Sequence, residues 1–477
     1  MPSPARSVVL AAALALGAVS CVRETLHGAR PDIILVSIDS LRPDHLGSYG
    51  YARDTSPTID ALGAAGARFT TAMSTTSWTL PAHAALFTGL HDATHGLSSD
   101  GLRLAEEHLT LAEVLRGAGW RTAGFFGGPY LHPAFGLAQG FDFYQSCMTR
   151  LADDVPEGEL RAQALGGAET AHADVTGPRL LEETERWLAT LDDAPFFLFL
   201  HLWDVHYDYI PPPGYAERFD PDYTGTLTGA GMLHDPALRA GMDPRDLAHL
   251  VALYDGEIRY TDEVLGKVLD GLDRRGRLAN ALVVVTADHG EEFFEHGGKG
   301  HRRTLFEEVV RVPLVVRWPG RVEAGRVVED PVRLVDVMPT LLALAGVELP
   351  VAVQGRDLGP LLRGETLPEA PALLELRRPR RHLRALRTAE RKLVSDARGR
   401  SLLFDLVRDP REVRPLRARE AVAEARRELD RTLEAALGFR DGLASRGAVG
   451  TPLDREMRER LEALGYLDAA PGARASD

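Results

Sequence analysis

Residues 31–50 read PDIILVSIDSLRPDHLGSYG, an apolar run that changes abruptly into a polar, turn-rich segment. From Ile33 to Ile38 the run contains one polar residue and lacks the alternation of a half-exposed strand. Such a run is typical of a strand that is buried on both faces of a sheet. Asp39 follows directly, so we expect a carboxylate at the carboxyl end of a central strand.

Similar apolar runs recur along the chain and alternate with helical patterns. We predict further strands at residues 120–126, 195–202, 281–286 and 312–318. We predict helices near residues 57–65, 109–118, 178–191, 246–274 and 334–345. Ser56 and Pro57 are expected to be the N-cap and first-turn residues of the first helix. The alternation predicts an α/β fold with a large, mixed, mostly parallel sheet between helices.

The composition favours a folded, exported protein that does not bind nucleic acid. Of the residues 44% are hydrophobic, and the net charge is -14, which is the wrong sign for general nucleic-acid binding. Within residues 1–21, Arg6 is followed by a short apolar core that leads to Cys21. This pattern predicts an export signal of the lipoprotein type. The alternative is an ordinary secretory signal. We expect a bacterial cell-envelope protein, periplasmic or on the surface, that is anchored to a membrane through a lipid on Cys21.

Proline and glycine punctuation around residues 350–370 predicts a domain boundary. We predict an export signal over 1–21, a linker over 22–31, a main domain over 32–365, a small antiparallel α+β subdomain over 366–420 and a helical, partly disordered tail over 421–477, with helical patterns near 417–436 and 453–464. Basic residues are dense only between Arg377 and Lys392. We interpret this run as a solvated face, and the alternative is a surface that attracts anionic substrates or lipid headgroups.

Two acidic residues follow predicted strands. Asp288 and His289 come after the strand at 281–286, as Asp39 comes after the first strand. Ligands of open parallel sheets bind at the carboxyl ends of the strands. A single Asp at a strand end is usually a cap or turn residue. Two such residues with an adjacent histidine favour a metal site.

Several separated segments together resemble the sulfatase branch of the alkaline phosphatase superfamily. They are residues 31–50, Trp78 to His83 (WTLPAH), residues 287–292 (ADHGEE) and residues 335–342 (VDVMPTLL), and the similarity extends in order to about residue 415. Residues 404–406 (FDL) and 409–412 (DPRE) resemble signals of the sulfatase C-terminal subdomain. The resemblance implies an alkaline-phosphatase-like fold, a catalytic domain over 32–365 and a divalent metal ion at a site of ester hydrolysis.

The resemblance places Thr79 where most sulfatases carry the Cys or Ser that is oxidised to formylglycine. A secondary alcohol is not expected to yield that aldehyde, so the resemblance implies a variant whose nucleophile is Thr79 itself. The alternative is that Thr79 only caps a helix. The predicted metal ligands are Asp39, Thr79, Asp288 and His289, a set that resembles the metal site of the nucleotide pyrophosphatases, whereas Ser40 replaces a second aspartate that sulfatases generally carry. One imidazole and fewer carboxylates suit Zn²⁺ or Mn²⁺ better than Ca²⁺, which also stays possible.

Four further residues complete the predicted catalytic set around Thr79. His83 stands in place of a sulfatase arginine and is equally well interpreted as a structural helix residue. His206 matches a substrate-contacting histidine of the family. Sulfatases use a lysine near Lys299 to bind the ester, and phosphoethanolamine transferases carry a histidine at the spacing of His301.

A second metal is the alternative for part of this set. His201 and Asp204 lie close to His206 in the sequence, at the end of the strand at 195–202. Together with His301 they resemble the ligands of relatives with paired metals. We expect one metal, with these side chains as donors to substrate oxygens, and His201 is the least secure member because a strand histidine often only packs.

The predicted function is that of a metal-dependent hydrolase that cleaves sulfate or phosphate and phosphonate esters by in-line attack of Thr79. The expected partner is an anionic ester, as a small molecule, a glycan or a lipid headgroup. The alternatives are a phosphotransferase acting on envelope lipid or glycan, and a catalytically inactive anion-binding lipoprotein.

Overall fold

The computed structural model describes residues 30–148, 175–233, 235–378, 381–443 and 447–451. The predicted export signal with Cys21 and the helical pattern near 453–464 lie outside these residues. The strands are β1 (Asp32–Ile38), β2 (Ala67–Met73), β3 (Leu102–Arg103), β4 (Arg121–Phe126), β5 (Phe143–Ser146), β6 (Phe196–Leu202), β7 (Ala281–Ala287), β8 (Glu292–Phe293), β9 (Lys299–Gly300), β10 (Arg311–Arg317), β11 (Arg326–Val328), β12 (Val332–Arg333), β13 (Ala372–Arg378), β14 (Arg381–Arg387), β15 (Arg391–Asp396), β16 (Ser401–Asp405) and β17 (Val449–Gly450). The α-helices are α1 (Pro57–Ala64), α2 (Thr79–Thr88), α3 (Asp92–His95), α4 (Leu111–Gly117), α5 (Gly177–Leu188), α6 (Pro244–Arg274), α7 (Glu307–Val310), α8 (Val337–Leu344), α9 (Gly359–Leu362) and α10 (Arg419–Asp441).

Nine of the described strands form one sheet with β1 near its centre. The order is β11-β2-β10-β7-β1-β6-β4-β5, and β12 also pairs with β2. Strands β7, β1, β6, β4 and β5 run parallel, whereas β10 is antiparallel to both β7 and β2. The prediction of a mixed, mostly parallel sheet is confirmed. Strand β2 was not predicted because buried and half-buried residues are interspersed along it, which weakens its apolar pattern.

Helices cover both faces of this sheet. Trp187 of α5 packs on Phe196 of β6, with ring centroids 5.5 Å apart. His83 of α2 packs on Phe199 of the same strand at 5.9 Å. Residues at odd and even positions of a strand point to opposite faces, so α5 and α2 lie on opposite sides of the sheet. This double cover explains why every residue of β1 is buried.

The first helix is capped by a distant residue rather than by Ser56. Pro57 occupies the first turn of α1 as predicted, but the Ser56 side chain makes no capping hydrogen bond. Instead, the amides of Thr58 and Ile59 donate to the carboxylate of Asp262 on α6, at 2.8 and 2.9 Å. The cap therefore joins two helices, which local sequence does not reveal.

A second, smaller sheet is antiparallel, with the order β13-β14-β15-β16. Helix α10 packs on one face, where Leu429 and Leu433 meet Leu373, Leu386 and Leu393. The opposite face packs against Met73 and residues 305–310 of the larger unit, so the small sheet lies between α10 and the main sheet. The predicted C-terminal antiparallel subdomain is confirmed as a fold feature. Among the described residues, no helix has the length and apolar character that crossing a membrane requires.

The basic run between Arg377 and Lys392 is not simply a solvated face. Arg387 and Lys392 are paired across β14 and β15 and are both buried. The Lys392 ammonium lies 3.1 Å from carboxylate oxygens of both Glu307 and Glu412. These charges face inward because the strands alternate, and they tie the small sheet to α7. The interpretation of a solvated face is wrong for these two residues.

Candidate functional site

The carboxyl ends of β1, β6 and β7 meet at one edge of the main sheet. Ser37 of β1 is aligned with His201 of β6 on one side and with Thr286 of β7 on the other. Asp39 and Asp288 therefore leave neighbouring strand ends, and both are fully buried. The structure thus brings the two predicted acidic residues together at the place where parallel sheets bind ligands.

Each of these carboxylates uses one oxygen for hydrogen bonds and leaves the other without a donor. Asp39 Oδ1 accepts from the Ser40 hydroxyl at 2.7 Å, and Asp288 Oδ1 accepts from the amides of Ser40 at 3.2 Å and His289 at 2.8 Å. The Oδ2 atoms of Asp39 and Asp288 have no hydrogen bond among the described residues. Burial raises the pKa of Asp39 to about 6, although the nearby His289, Ser40 and Thr79 act to lower it.

Thr79 is the first residue of α2, and its hydroxyl points away from its own helix. The N-cap position belongs to Trp78, so the interpretation of Thr79 as a mere cap does not fit the structure. Thr79 Oγ1 lies 3.2 Å from His289 Nε2. The hydroxyl therefore lies at the positive end of a ten-residue helix, beside the two carboxylates.

His289 presents a nitrogen lone pair to this site. Its Nδ1 lies 2.9 Å from the Gly290 carbonyl oxygen, which can only accept a hydrogen bond. Nδ1 therefore carries a proton, and Nε2 is the nitrogen that faces the site and could bind a metal ion. Nε2 also lies 3.5 Å from Asp288 Oδ2.

A divalent cation binds where several buried oxygen or nitrogen atoms lie close together and accept no hydrogen bond. Asp39, Asp288 and His289 each offer one ligand atom, and these atoms lie within 4.8 Å of one another. Thr79 Oγ1 adds a fourth oxygen or nitrogen donor at the same place. The residues present therefore fit a bound divalent metal ion.

His83 lies beneath the nucleophile position rather than facing the site. Its Nδ1 donates to the Thr79 carbonyl oxygen at 2.8 Å, and its Nε2 is 3.0 Å from the Ser37 hydroxyl. Burial lowers the pKa of His83 to about 3, so the ring is neutral. With both nitrogens occupied, His83 holds the first turn of α2 and does not replace an arginine that contacts an anion.

His206 and His301 stand close together next to His289. The centroids of the His206 and His301 rings are 4.9 Å apart, and those of His289 and His301 are 4.2 Å apart. His301 Nδ1 lies 3.1 Å from Glu291 Oε1, and His206 Nδ1 lies 2.5 Å from the Tyr207 carbonyl oxygen. These contacts orient both imidazoles at the site.

Lys299 lies at the rim, half-buried on β9. Its ammonium donates to the Asp235 carbonyl oxygen at 3.0 Å, and burial lowers the pKa of Lys299. Its strand β9 leads directly to His301. Lys299 is thus the predicted residue with the most solvent contact.

Comparison with known proteins decides the family. A family model described as sulfatase matches residues 31–347, and a second, described as N-sulphoglucosamine sulphohydrolase, C-terminal, matches residues 295–437. The chain belongs to the sulfatase family. It is therefore an ester hydrolase of the alkaline phosphatase superfamily, as predicted.

Two curated sulfatases illustrate the similarity in sequence. The ulvan-active sulfatase of Formosa agariphila is 26% identical over 440 residues, which cover 87% of this chain and 82% of that protein. Human arylsulfatase A is 29% identical over 394 residues, covering 70% and 68%.

Two solved structures illustrate the similarity in fold. A protein in complex with its substrate D-glucosamine-2-N,6-O-disulfate has a TM-score of 0.71 and 19% identity, covering 87% of this chain and 98% of that one. The phosphonate monoester hydrolase of Agrobacterium radiobacter has a TM-score of 0.69 and 24% identity, covering 88% and 99%.

The sulfatase site is supported by residues that the sequence analysis missed. Ser40 adopts a left-handed backbone with φ of 56°, which directs its amide to Asp288 and its hydroxyl to Asp39. The buried Tyr254 hydroxyl donates to the Ser40 carbonyl oxygen at 2.8 Å and accepts from the Arg42 amide at 3.0 Å. Tyr254 lies in the middle of α6, so no local pattern connects it to the site.

Arg302 brings a guanidinium beside the residue that precedes Thr79. It lies over the Trp78 ring at 4.4 Å and donates to Tyr130 at 2.6 Å and to Asp100 at 2.7 Å. Its position directly after His301 was a signal in the sequence, but its partners come from loops that are far apart along the chain.

The four residues of the second-metal alternative do not converge. The Asp204 carboxylate accepts from the amide of Thr176 at 2.6 Å and from its hydroxyl at 3.2 Å, at the start of α5. His201 instead turns toward Asp39, with Nε2 at 3.5 Å from Oδ2. Among the described residues, two sets of metal-ligand atoms converge, and they share Asp288. One set is Asp39, Asp288 and His289, and the other is His83, His201 and Asp288.

Proposed function

We propose that this sulfatase-family protein is a metal-dependent hydrolase in which Thr79 attacks the sulfur or phosphorus of an anionic ester in line. The observation that carries the proposal is the position of Thr79 Oγ1. It lies 3.2 Å from His289 Nε2, at the first turn of α2 and beside the unpartnered oxygens of Asp39 and Asp288.

The attack forms one bond and breaks another. Thr79 Oγ1 bonds to sulfur or phosphorus while the bond to the leaving oxygen breaks. The Thr79 hydroxyl proton passes to solvent water, and the leaving oxygen takes up a proton from solvent water, so the step balances. Asp39, Thr79, Asp288 and His289 would hold a divalent metal ion, whose positive charge would favour the ionised threonine and neutralise the ester oxygens. The first turn of α2 adds a partial positive charge.

His206, Lys299 and His301 act on the remaining oxygens of the ester. The two imidazoles are fixed through Tyr207 and Glu291, so their Nε2 atoms can serve the equatorial oxygens and the leaving group. Lys299 contributes charge from the rim. The hydrogen bonds that hold these imidazoles in place matter, because a catalytic donor stabilises the transition state best when it does not have to move during the reaction.

Completion of the cycle favours phosphorus as the reacting centre. A formylglycine sulfatase releases sulfate when its hemiacetal collapses, and a threonine ester has no second hydroxyl for that route. Water must therefore attack the Thr79 adduct at sulfur or phosphorus. We accordingly place phosphate and phosphonate esters before sulfate esters, and the shared fold with a phosphonate monoester hydrolase is consistent with this order.

The ligand chemistry favours Zn²⁺ or Mn²⁺ over Ca²⁺. The site uses an imidazole and lacks the second aspartate that sulfatases commonly carry, since Ser40 takes its place. Ca²⁺ prefers six to eight oxygen ligands, whereas an imidazole is a common ligand of Zn²⁺ and other transition metals, and Mn²⁺ accepts a site of mostly oxygen ligands with fewer donors than Ca²⁺ uses.

The proposal is tested with matched p-nitrophenyl esters: a phosphate, a phosphate diester, a phosphonate and a sulfate. Metal-free protein is reloaded with Zn²⁺, Mn²⁺ or Ca²⁺, and Thr79→Ala is compared with Thr79→Ser. We expect phosphorus-ester turnover with Zn²⁺ or Mn²⁺, a loss of at least about 1,000-fold in Thr79→Ala and retention of measurable turnover in Thr79→Ser.

Other outcomes separate the alternatives. Preferential sulfate turnover would reverse the substrate order while keeping the threonine mechanism. Turnover that survives in Thr79→Ala would refute the nucleophile. Bound metal and bound anion without hydrolysis would indicate a phosphotransferase if an added glycan or lipid acceptor becomes modified, and a binding lipoprotein if none does.

We also propose that the protein works at the cell envelope, held by a lipid on Cys21. The support is the sequence of residues 1–21. Expression of the full chain and of Cys21→Ser followed by membrane fractionation tests this, because only the lipidated form should sediment with membranes in high salt.

A further inference from the structure

His201 is a buried histidine of β6 that the proposed mechanism does not use. It is fully buried at the carboxyl end of the strand. Its Nδ1 lies 2.9 Å from the Gly127 carbonyl oxygen, which only accepts hydrogen bonds. Nδ1 therefore carries a proton, as in a ring whose other nitrogen binds a metal.

The other nitrogen of His201 faces an acceptor and not a donor. Nε2 lies 3.5 Å from Asp39 Oδ2, and neither atom has a hydrogen-bond partner among the described residues. An ion pair between an imidazolium and a carboxylate closes to about 2.7–2.9 Å, so 3.5 Å is too long for a proton shared between them. The two atoms therefore face one another without a hydrogen bond between them.

The neighbouring histidine does not fill the gap. The His83 and His201 rings meet edge to face, with centroids 4.8 Å apart. Both nitrogens of His83 are engaged, by the Thr79 carbonyl oxygen and by the Ser37 hydroxyl. No proton of His83 is therefore available to His201 Nε2 or to Asp39.

We propose that His201 Nε2 is a further ligand of the metal ion that Asp39, Asp288 and His289 hold. This inference rests on the proposed function for the presence of the ion. His201 Nε2 is 3.5 Å from Asp39 Oδ2, and His201 also belongs with His83 and Asp288 to a second set of donor atoms that overlaps the first set at Asp288. The first coordination sphere then contains two imidazoles, two carboxylates and the Thr79 hydroxyl.

The donor spacing and donor type define the class of cation. Donors bound to one ion at about 2.1 Å are about 3.4 Å apart at tetrahedral angles and about 3.0 Å apart at the right angles that also occur in five-coordinate sites. The observed separations are 3.5 Å for His201 to Asp39, 3.5 Å for His289 to Asp288 and 3.2 Å for His289 to Thr79. Two imidazole nitrogens strengthen the preference for Zn²⁺ and related transition metals over Ca²⁺.

The first test needs no substitution. X-ray absorption of the Zn²⁺-loaded full chain counts imidazole ligands through their characteristic multiple scattering. We expect two imidazoles per zinc. One imidazole per zinc, with Thr79-dependent turnover intact, would overturn the role of His201 and leave the proposed function standing. A protein that binds no zinc would overturn both.

The second test compares substitutions by chelator competition for Zn²⁺. His201→Ala should weaken Zn²⁺ binding by at least about 100-fold, because removal of outer-sphere partners alone costs 10–100-fold. His83→Gln is the matched comparison: it removes a buried imidazole that touches His201 and holds the turn that carries Thr79, so it should weaken Zn²⁺ binding less than His201→Ala does, within the roughly 10–100-fold of an outer-sphere partner. Circular dichroism confirms that each variant is folded.

Co²⁺-substituted protein gives a third, independent readout. Loss of one nitrogen ligand shifts and weakens the visible absorption of bound Co²⁺, so His201→Ala should differ from wild type while His83→Gln should match it. Identical spectra and equal Zn²⁺ affinities for wild type and His201→Ala would show that His201 only packs against Asp39.

Discussion

A second carboxylate beside Asp39 is expected to change which metal this sulfatase prefers, and Ser40→Asp tests this. Ser40 stands where sulfatases commonly carry their second aspartate. Its hydroxyl is 2.7 Å from Asp39 Oδ1 in a fully buried site. The left-handed backbone at this position, with φ of 56°, is one that Asp and Asn tolerate better than most residues.

The size of the effect follows from the distance between the two charges. Two carboxylates about 4 Å apart repel by about 4 kcal/mol at an effective dielectric constant of about 20. In the metal-free variant this repulsion either destabilises the fold or is relieved by uptake of a proton. A divalent ion removes it, so binding gains up to about 4 kcal/mol, or roughly a thousandfold in affinity. Ca²⁺ should gain more than Zn²⁺ because it uses six to eight oxygen ligands.

Isothermal titration calorimetry of metal-free protein with Ca²⁺ and with Zn²⁺ measures both affinities. Ser40→Asn is the matched control, since it has the same shape and tolerates the same backbone without the charge. We expect Ser40→Asp, and not Ser40→Asn, to raise the ratio of Ca²⁺ to Zn²⁺ affinity. Equal ratios in the two variants would refute the argument that carboxylate count sets the metal preference.

Two further predictions concern the supports of the site and of the fold. Tyr254→Phe leaves two buried backbone groups next to Ser40 unpaired, so it should lower the free energy of unfolding by about 2–4 kcal/mol in urea, and a change below about 0.5 kcal/mol would contradict this. Burial raises the pKa of Glu412 to about 7 from 4.5, with Lys392 lowering and Glu307 raising it. The folded protein therefore keeps a proton that the unfolded chain releases, so this contribution to stability is complete below about pH 4.5 and is lost as the pH rises to 7. The free energy of unfolding, measured from about pH 4.5 to pH 7, should fall in the wild type and fall less in Glu412→Gln.

Much of the main sheet was predictable because its strands are buried on both faces. The runs that became β1, β4, β6, β7 and β10 are mostly apolar and lack a regular polar alternation, a pattern that needs no knowledge of neighbours. Strands β2, β11 and β12 were not predicted. Half-buried residues interrupt the apolar pattern of β2 and β11, and β12 has only two residues, one of them an arginine, which is too short for any pattern.

The candidate site was predictable where residues follow strands. Asp39 and Asp288 end parallel neighbours, so topology alone places them together. The prediction that Thr79 belongs to the site came from the resemblance to sulfatases. The structure adds that its hydroxyl lies 3.2 Å from His289 Nε2. The orientation of His83 was not predictable, since a histidine one helical turn after Thr79 can face either the site or the sheet.

The support of the site could not be predicted, because its hydrogen bonds join residues that are far apart along the chain. Tyr254 reaches Ser40 across 214 positions. His201 reaches Asp39 only because β6 lies beside β1. Such contacts leave no periodic or local trace.

By itself, the sequence determined the α/β class and the acidic strand ends, because hydrophobic runs and residue chemistry are local properties, and the resemblance to sulfatases singled out Thr79. Only the tertiary structure decided that Asp39 and Asp288 each keep one oxygen without a donor, that His83 turns to the Thr79 carbonyl oxygen and that His201 turns to Asp39. The physical reason is that these orientations are set by which strands are adjacent and which backbone carbonyl groups face each ring.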